Sequence, residues 1–350
     1  MDRYIGLDAH SQSCTLAVMG PSGRRITEQV VETNGRALVQ AVTSVAGQRH
    51  LCMEEGSQSA WLYEILQRHV DEIAVIRPEK HDGCKSDSKD AWLLAEQLRT
   101  GRQLRRVFKA PTKYTSLREA AITYRLTRRE LVRTKNRLKA AFRSRGIPTD
   151  AEVYEATARL RLTRKLPAAY RPRVALLATQ LEAAEDTHAR AEQWLREEAG
   201  RCSAVSLLET LPGIGTIRAA QIVATVVVPE RFRTKRQFWS YCGFGIVTRT
   251  SSEWVQRDNR WARKQVPMPR GLNSNRNPIL KEVFKSAAKV IITTMTKHPL
   301  HLDYQRMLES GTKPNLAQLT IARRLAAAAL AIWKHKEDYD PAKHRTHTAA

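Results

Sequence analysis

The chain has 350 residues, with 59 Lys and Arg against 35 Asp and Glu and a net charge of +24. Its 42% apolar content is too high for wholesale disorder, and no uninterrupted apolar run reaches the ~18–20 residues of a membrane-spanning helix. An isoelectric point near 10.3 then calls for a polyanionic partner, expected to be nucleic acid rather than a membrane.

The first residues, Met1-Asp2-Arg3-Tyr4-Ile5-Gly6, have neither the basic flank nor the long apolar stretch of a signal peptide, so a cytoplasmic location is expected. The five cysteines, Cys14, Cys52, Cys84, Cys202 and Cys242, are widely spaced and include no CxxC pair, which favours buried free thiols over disulfides or a zinc knuckle. The charge is uneven. Residues 1–100 carry −3, residues 101–200 carry +12, and residues 201–350 carry +15. The segment Gly101 to Ile147 holds 15 basic residues against Glu119 and Glu130 alone, a run that repels itself unless a polyanion neutralises it. Arg128, Arg129, Arg133 and Lys135 of this segment are candidate nucleic-acid contacts.

In chain order, Tyr4 to Leu7, Cys14 to Met19 and Arg25 to Val31 read as three strands of a meander, with a turn at Gly20-Pro21-Ser22-Gly23. Asn34 caps an expected helix through Val45. A strand at His50 to Met53, a helix at Ser59 to His69, a strand at Glu72 to Ile76 and an Ala- and Leu-rich helix from Ser86 or Ser88 through Leu98 follow. This βββαβαβα order is that of the ribonuclease-H-like fold, which includes RuvC-type resolvases. The next region reads as helical. Pro111-Thr112 opens a long helix through Arg145, and after a link containing Pro167 and Pro172 a second runs from Val174 to Ala199. Their apolar stripes predict a long antiparallel hairpin or coiled coil. Leu207 to Ala220 has the shape of a helix-hairpin-helix, in which Gly213 and Gly215 let backbone N–H groups approach a phosphate. Residues 241–278 look irregular, and a last helix is expected over Asn315 to Lys334. The expected fold class is therefore α/β plus all-α. The expected domains are a catalytic domain over 1–105, a basic helical segment over 106–200, a mainly helical C-terminal domain over 201–336, and a disordered tail over 337–350.

Asp8 ends the first strand, Glu54 ends the fourth, and Asp87 and Asp90 share a face at the opening of the helix after the fifth. In a ribonuclease-H-like sheet the first and fourth strands are neighbours and this helix packs across them, so the four carboxylates could converge. Such a cluster repels itself unless hard cations sit within it. Mg²⁺ fits oxygen ligands, and two ions ~3.5–4 Å apart stabilise both the attacking and leaving oxygens of phosphoryl transfer. Each residue taken alone has a plainer explanation: Asp87 or Asp90 as a helix cap or first-turn acid, and Glu54 as a surface residue.

At these motifs the chain resembles the DEDD-type insertion-sequence transposases, the group related to the Piv DNA invertases. The resemblance rests on Tyr4-Ile5-Gly6-Leu7-Asp8, Cys52-Met53-Glu54, Lys85-Ser86-Asp87-Ser88-Lys89-Asp90-Ala91 with Leu94-Ala95-Glu96, Leu211-Pro212-Gly213-Ile214-Gly215, and Arg231-Phe232 with Gln237-Phe238 and Gly243. It implies a RuvC-like N-terminal domain, a coiled-coil segment and a C-terminal transposase domain with a catalytic serine. It implies that Asp8, Glu54, Asp87 and Asp90 form a metal-binding tetrad; Glu55 stands beside Glu54 where the family usually has a small residue. Ungapped counting puts the serine at Ser251, with Ser252 the alternate, because Gly243-Phe244-Gly245-Ile246 and Thr250-Ser251-Ser252-Glu253-Trp254 depart from the family pattern. Read from residues alone, Ser251 is a loop serine. Arg249, Arg257, Arg260 and Arg263 are placed to hold phosphates.

The function expected from this resemblance is a recombinase that mobilises its own element in the cytoplasm of a bacterial or archaeal cell. It would cut and rejoin strands by Mg²⁺-assisted serine attack, activated from another domain or subunit, as a dimer or tetramer. A structured noncoding guide RNA bridging target and donor DNA is implied by the resemblance alone. Two other readings stay open: a RuvC-like nuclease or junction resolvase that uses activated water, and a non-catalytic nucleic-acid-binding protein.

Overall fold

A computed structural model describes residues 1–78, 86–102, 104–110, 112–249, 254–257, 260–263 and 268–343. The chain divides into two compact units, Met1–Lys113 and Tyr114–Ala350. Among the described cysteines, Cys14, Cys52, Cys202 and Cys242 are free and buried.

The first unit contains β1 (Asp2–Ala9), β2 (Ser13–Met19), β3 (Arg25–Glu32), α1 (Gly35–Thr43), β4 (Gln48–Glu54), α2 (Ser59–Leu66), β5 (Glu72–Ile76) and α3 (Asp87–Thr100). The strands form one sheet in the order β3-β2-β1-β4-β5. β2 runs antiparallel to β1 and β3, while β1, β4 and β5 are parallel. Asn34 caps α1, accepting the Ala37 N–H at 2.8 Å. Side chains alternate across the sheet. Ile5 and Leu7 of β1 and Leu51 and Met53 of β4 enter one core with Leu38, Val42, Leu62 and Leu66 of α1 and α2. Tyr4 and Cys52 point to the other face, where α3 covers them with Leu94 and Leu98. Each fully buried leucine contributes about 1.5–3 kcal/mol.

The second unit contains α4 (Thr115–Arg143), α5 (Ala156–Arg164), α6 (Arg171–Gly200), α7 (Ser203–Glu209), α8 (Thr216–Val226), α9 (Lys235–Tyr241), β6 (Ile246–Arg249), β7 (Trp254–Arg257), β8 (Arg260–Arg263), β9 (Met268–Leu272), α10 (Pro278–Thr294), α11 (Pro299–Glu309) and α12 (Pro314–His335). α4 and α6 pack antiparallel. The first turns of α4 (Leu117, Ala120, Tyr124) meet the end of α6 (Leu195, Ala199), and its last turns (Leu138, Phe142) meet the start of α6 (Val174, Leu181). Midway, Thr127 Oγ1 lies 3.1 Å from His188 Nδ1. α6 begins three residues before the expected Val174 because Pro172 belongs to its first turn, where the missing N–H costs nothing.

α7 and α8 are joined by the Pro212-Gly213-Ile214-Gly215 turn. Gly213 has φ +73°, and a Cβ there would sit 2.7 Å from the Ala287 carbonyl oxygen of α10, so close packing and backbone sign both demand glycine. α12 is long and apolar enough to cross a membrane by length and composition, yet Ile321, Ala322, Leu325 and Ala326 of its buried face belong to the core formed with α8 and α10. The buried Asp303 of α11 pairs with Arg324 of α12.

The segment read as irregular carries four short strands. β6 pairs with β9 and β7 with β8, both antiparallel. With four or five residues each, these strands are too short to announce themselves by periodicity. Residues 337–343, expected to be disordered, include Tyr339, whose N–H donates to Thr210 Oγ1 at 3.0 Å and whose ring stacks on His298. Residues 344–350 lie outside the described residues.

Candidate active site

The alternation that builds the N-terminal sheet also sorts its acids. Gly6 points toward α3, so Asp8, two residues on, leaves the strand on the same face. Cys52 lies beneath α3, and Glu54 follows it on that face. β1 and β4 are neighbours with Leu7 opposite Met53, which puts Asp8 and Glu54 at the adjoining ends of two parallel strands. α3 reaches them because Gly6 has no side chain: a Cβ there would run into the Ala91 carbonyl oxygen and come within 2.7 Å of the Ala95 nitrogen.

Ser86 caps α3 and accepts the Lys89 N–H, leaving Asp87 and Asp90 free of capping duty in the first turn. The helix is held down by Glu28 of β3, whose Oε2 accepts from Ser88 Oγ at 2.8 Å and from Trp92 Nε1 at 2.5 Å. His10 bridges the two sides of the site. Its Nε2 lies 3.2 Å from Asp8 Oδ2 and 3.4 Å from Asp87 Oδ1. One ligand atom each from Asp8, His10 and Asp87 falls within 4.8 Å of the others. His10 is not among the residues expected from sequence. The signal was its position two residues after a strand-ending acid, which returns its side chain toward the same face.

Asp8 is the most enclosed of these, with a side chain 18% exposed against 60% for Asp87. Burial pushes its carboxyl above the usual carboxylate range. His10 opposes the rise, and the charges of Asp90 and Asp87 add to it. A desolvated acid repelled by two more is an arrangement that a cation relieves. The oxygen-rich donor set suits a hard divalent ion.

Glu55 faces elsewhere. Lys109 Nζ donates to Glu55 Oε1 at 2.7 Å and to Ser59 Oγ at 2.9 Å, tying that carboxylate to the start of α2.

Two family models match this chain. One, a DEDD transposase model of the IS110 type, covers residues 5–145, and the other, the IS116/IS110/IS902 transposase family, covers residues 205–272. Together they span more than half of the sequence. The chain belongs to the IS110 family of DEDD transposases. No curated protein matches it. Membership makes the protein a transposase, which binds DNA and cuts and rejoins it, and the DEDD class implies a divalent metal ion.

The remaining candidate residues of the transposase are distributed through its second unit. Ser251 and Ser252 lie outside the described residues. Arg249 ends β6, and Arg257 pairs with Arg260 between β7 and β8, with Arg263 opposite Trp254. Arg128, Arg129 and Arg133 line one groove together with Gly215. Lys135 is turned away from it: its ammonium lies 3.0 Å from Glu185 of α6 and over the Tyr154 ring. Gly213 serves the packing of α10 against the hairpin.

Proposed function

We propose that this transposase mobilises an insertion element by cutting and rejoining DNA through a ribonuclease-H-like carboxylate site and a serine nucleophile. The observation that carries the reading is the placement of Asp8 and Glu54 on the α3 face of adjoining parallel strands, with Asp87 and Asp90 in the first turn of α3. The strand order and α3 lying across β1 and β4 support the ribonuclease-H-like assignment. Asp8, Glu54, Asp87 and Asp90 would hold Mg²⁺, as one or two ions. When bound, the metal neutralises charge on the phosphate and lowers the pKa of the attacking hydroxyl. His10 orients Asp8 against Asp87.

The covalent step belongs to Ser251, with Ser252 the alternate. Its hydroxyl gives up a proton, its oxygen bonds to phosphorus, and one bridging P–O bond breaks, the departing sugar oxygen taking up a proton. The resulting phosphoserine keeps the bond energy for rejoining, so no external energy source is needed. Arg249, Arg257 and Arg260 hold the phosphates of the strand being cut. The serine, the guide RNA and assembly as a dimer or tetramer are supported by the family resemblance.

A trapping experiment tests this. The protein is incubated with Mg²⁺, labelled element-end DNA and RNA transcribed from the element's flanks, then denatured. A DNA–protein adduct is expected that vanishes in Ser251→Ala. An adduct lost only in Ser252→Ala moves the nucleophile by one residue. Cleaved ends with no adduct overturn the serine step in favour of a water-using nuclease.

The two neighbouring glutamates should separate cleanly. Glu54→Gln is expected to lower cleavage about 10³-fold, the loss of roughly 4 kcal/mol of metal-borne stabilisation. Glu55→Gln should cleave within a few-fold of wild type and instead lower thermal stability by about 1 kcal/mol, through its Lys109 pair. Single-turnover cleavage and calorimetry on both variants would decide; equal losses of cleavage would remove Glu54 from the tetrad.

A further inference from the structure

We infer that the groove formed by α4, α6, α8 and α10 in the second unit is a seat for the phosphate backbone of duplex DNA. The groove has a volume of about 1160 Å³. Arg125, Arg129, Arg133 and Arg137 line it from α4, joined by Arg196 of α6 and Arg218 of α8. Among its described lining residues the only carboxylate is Glu282.

The spacing is what makes this more than a charged surface. The four α4 arginines recur every four residues, a step of ~6 Å along the helix, so they span ~18 Å in a row. That step is comparable with the separation of successive phosphates along one strand. Arg133 and Arg137 share Glu130 at 3.0 and 3.5 Å, but these are exposed pairs within one helix and exchange readily for phosphate. Arg125 is half-buried beside Arg129 and has no hydrogen-bond or ion-pair partner among the described residues. Burial and the Arg129 charge both depress its pKa, the condition that a bound anion reverses. Gly215, also in the lining, caps the start of α8, and a Cβ there would meet nothing within 4 Å.

The lining also argues for a duplex. Tyr124 is its single aromatic residue, and it is buried against His188, so no ring is offered for stacking unpaired bases. The lining's other polar groups besides Glu282 are the guanidinium groups with Asn136, Thr216, Gln221 and Ser286, all side chains that can contact phosphate. The family assignment supplies DNA as the polymer.

The inference rests on the DNA-binding part of that assignment, and binding measured in chelator reads it apart from strand cleavage. The full chain is titrated with a labelled random duplex of about 30 bp, by anisotropy, across a range of salt. Arg128, Arg129 and Arg133 are exposed, so R128Q/R129Q/R133Q should fold normally. Its log K against log salt should be shallower by about 2.7, three phosphate contacts at ~0.9 each, and its affinity about 10- to 100-fold lower at ~0.1 M salt. R161Q/R164Q/R173Q removes the same charge from exposed positions outside the groove and should lose no more than about 3-fold. Equal losses in the two variants would reduce the effect to bulk charge and overturn the proposal. So would a loss confined to an RNA duplex of the same length. Matching circular-dichroism melts of the variants confirm that binding, not folding, is being read; if the triple variant melts low, R128Q/R129Q carries the comparison with an expected slope change of about 1.8.

Discussion

Asp8→Asn is expected to abolish strand cleavage, by about 10³-fold or more, while leaving the protein at least as stable as wild type in chelator. Both halves follow from one position. Asp8 is far more enclosed than Asp87, and His10 lies within reach of both. On the proposed metal site, loss of the Asp8 charge would remove a ligand from the strand side, and several kcal/mol of charge stabilisation at the phosphate would go with it. Stability moves the other way. Burial, with the charges of Asp90 and Asp87, raises the folded-state pKa of Asp8 above its unfolded value. The folded state therefore binds this proton more tightly, and the stability tied to it is fully present below the unfolded pKa and is lost as pH rises through the folded pKa. At neutral pH the wild type carries an ionised Asp8 at a cost that Asn does not have. The difference should fade as pH falls through the raised folded-state pKa and be gone below the ordinary carboxylate range. Added Mg²⁺ should raise the wild-type melting temperature and leave that of Asp8→Asn nearly unchanged. A variant that melts well below wild type in chelator would show Asp8 to be a structural residue.

Gly6→Val should be the most damaging substitution in the N-terminal unit that touches no charged group. The new Cβ would strike the α3 backbone at Ala91 and Ala95, and backbone cannot rotate away as a side chain can. α3 must lift from β1. The expected cost is about 3 kcal/mol, the upper end of overpacking, and cleavage should fall about 10²-fold because Asp87 and Asp90 ride on the helix that moves. Gly56→Ala is the control, since a Cβ there meets nothing within 4 Å and both stability and cleavage should hold. Chemical denaturation with single-turnover cleavage checks the pair; an undisturbed Gly6→Val would mean that α3 is not held at the sheet by close approach.

These residues also show what could be read from sequence. The eight elements of the first unit appear in the order expected, because β1 and β4 are buried on both faces and so read as unbroken apolar runs ending in acids. The nearness of Asp8 to Asp87 was legible for the same reason. The separation of Glu54 from Glu55 was not, since it depends on which face of β4 meets α3 and on Lys109, more than fifty residues away. His10 carries only the weak signal of its two-residue offset from Asp8, which a single exposed histidine in a turn does not make specific. In the second unit, Pro172 reads as part of a link when it is a first-turn residue of α6, and Pro278 and Pro299 likewise sit in the first turns of α10 and α11, where proline marks a helix start. The groove arginines were legible as charge, but their alignment with the α7–α8 turn required three-dimensional packing.

α4 is a rod of 29 residues, ~44 Å long, with its two ends embedded in different hydrophobic clusters. Its length is therefore quantised. Each residue added or removed near its middle turns everything beyond by about 100°, so Leu138 and Phe142 would leave their cluster while Leu117 and Tyr124 kept theirs. A change of seven residues restores the phase to within about 20°. The helix can thus lengthen or shorten between its anchors only in steps that nearly complete whole turns, the smallest within this tolerance being about seven residues, which moves the distant cluster by ~10 Å. The reach of this arm is set by counting turns, and drift by single residues is closed to it.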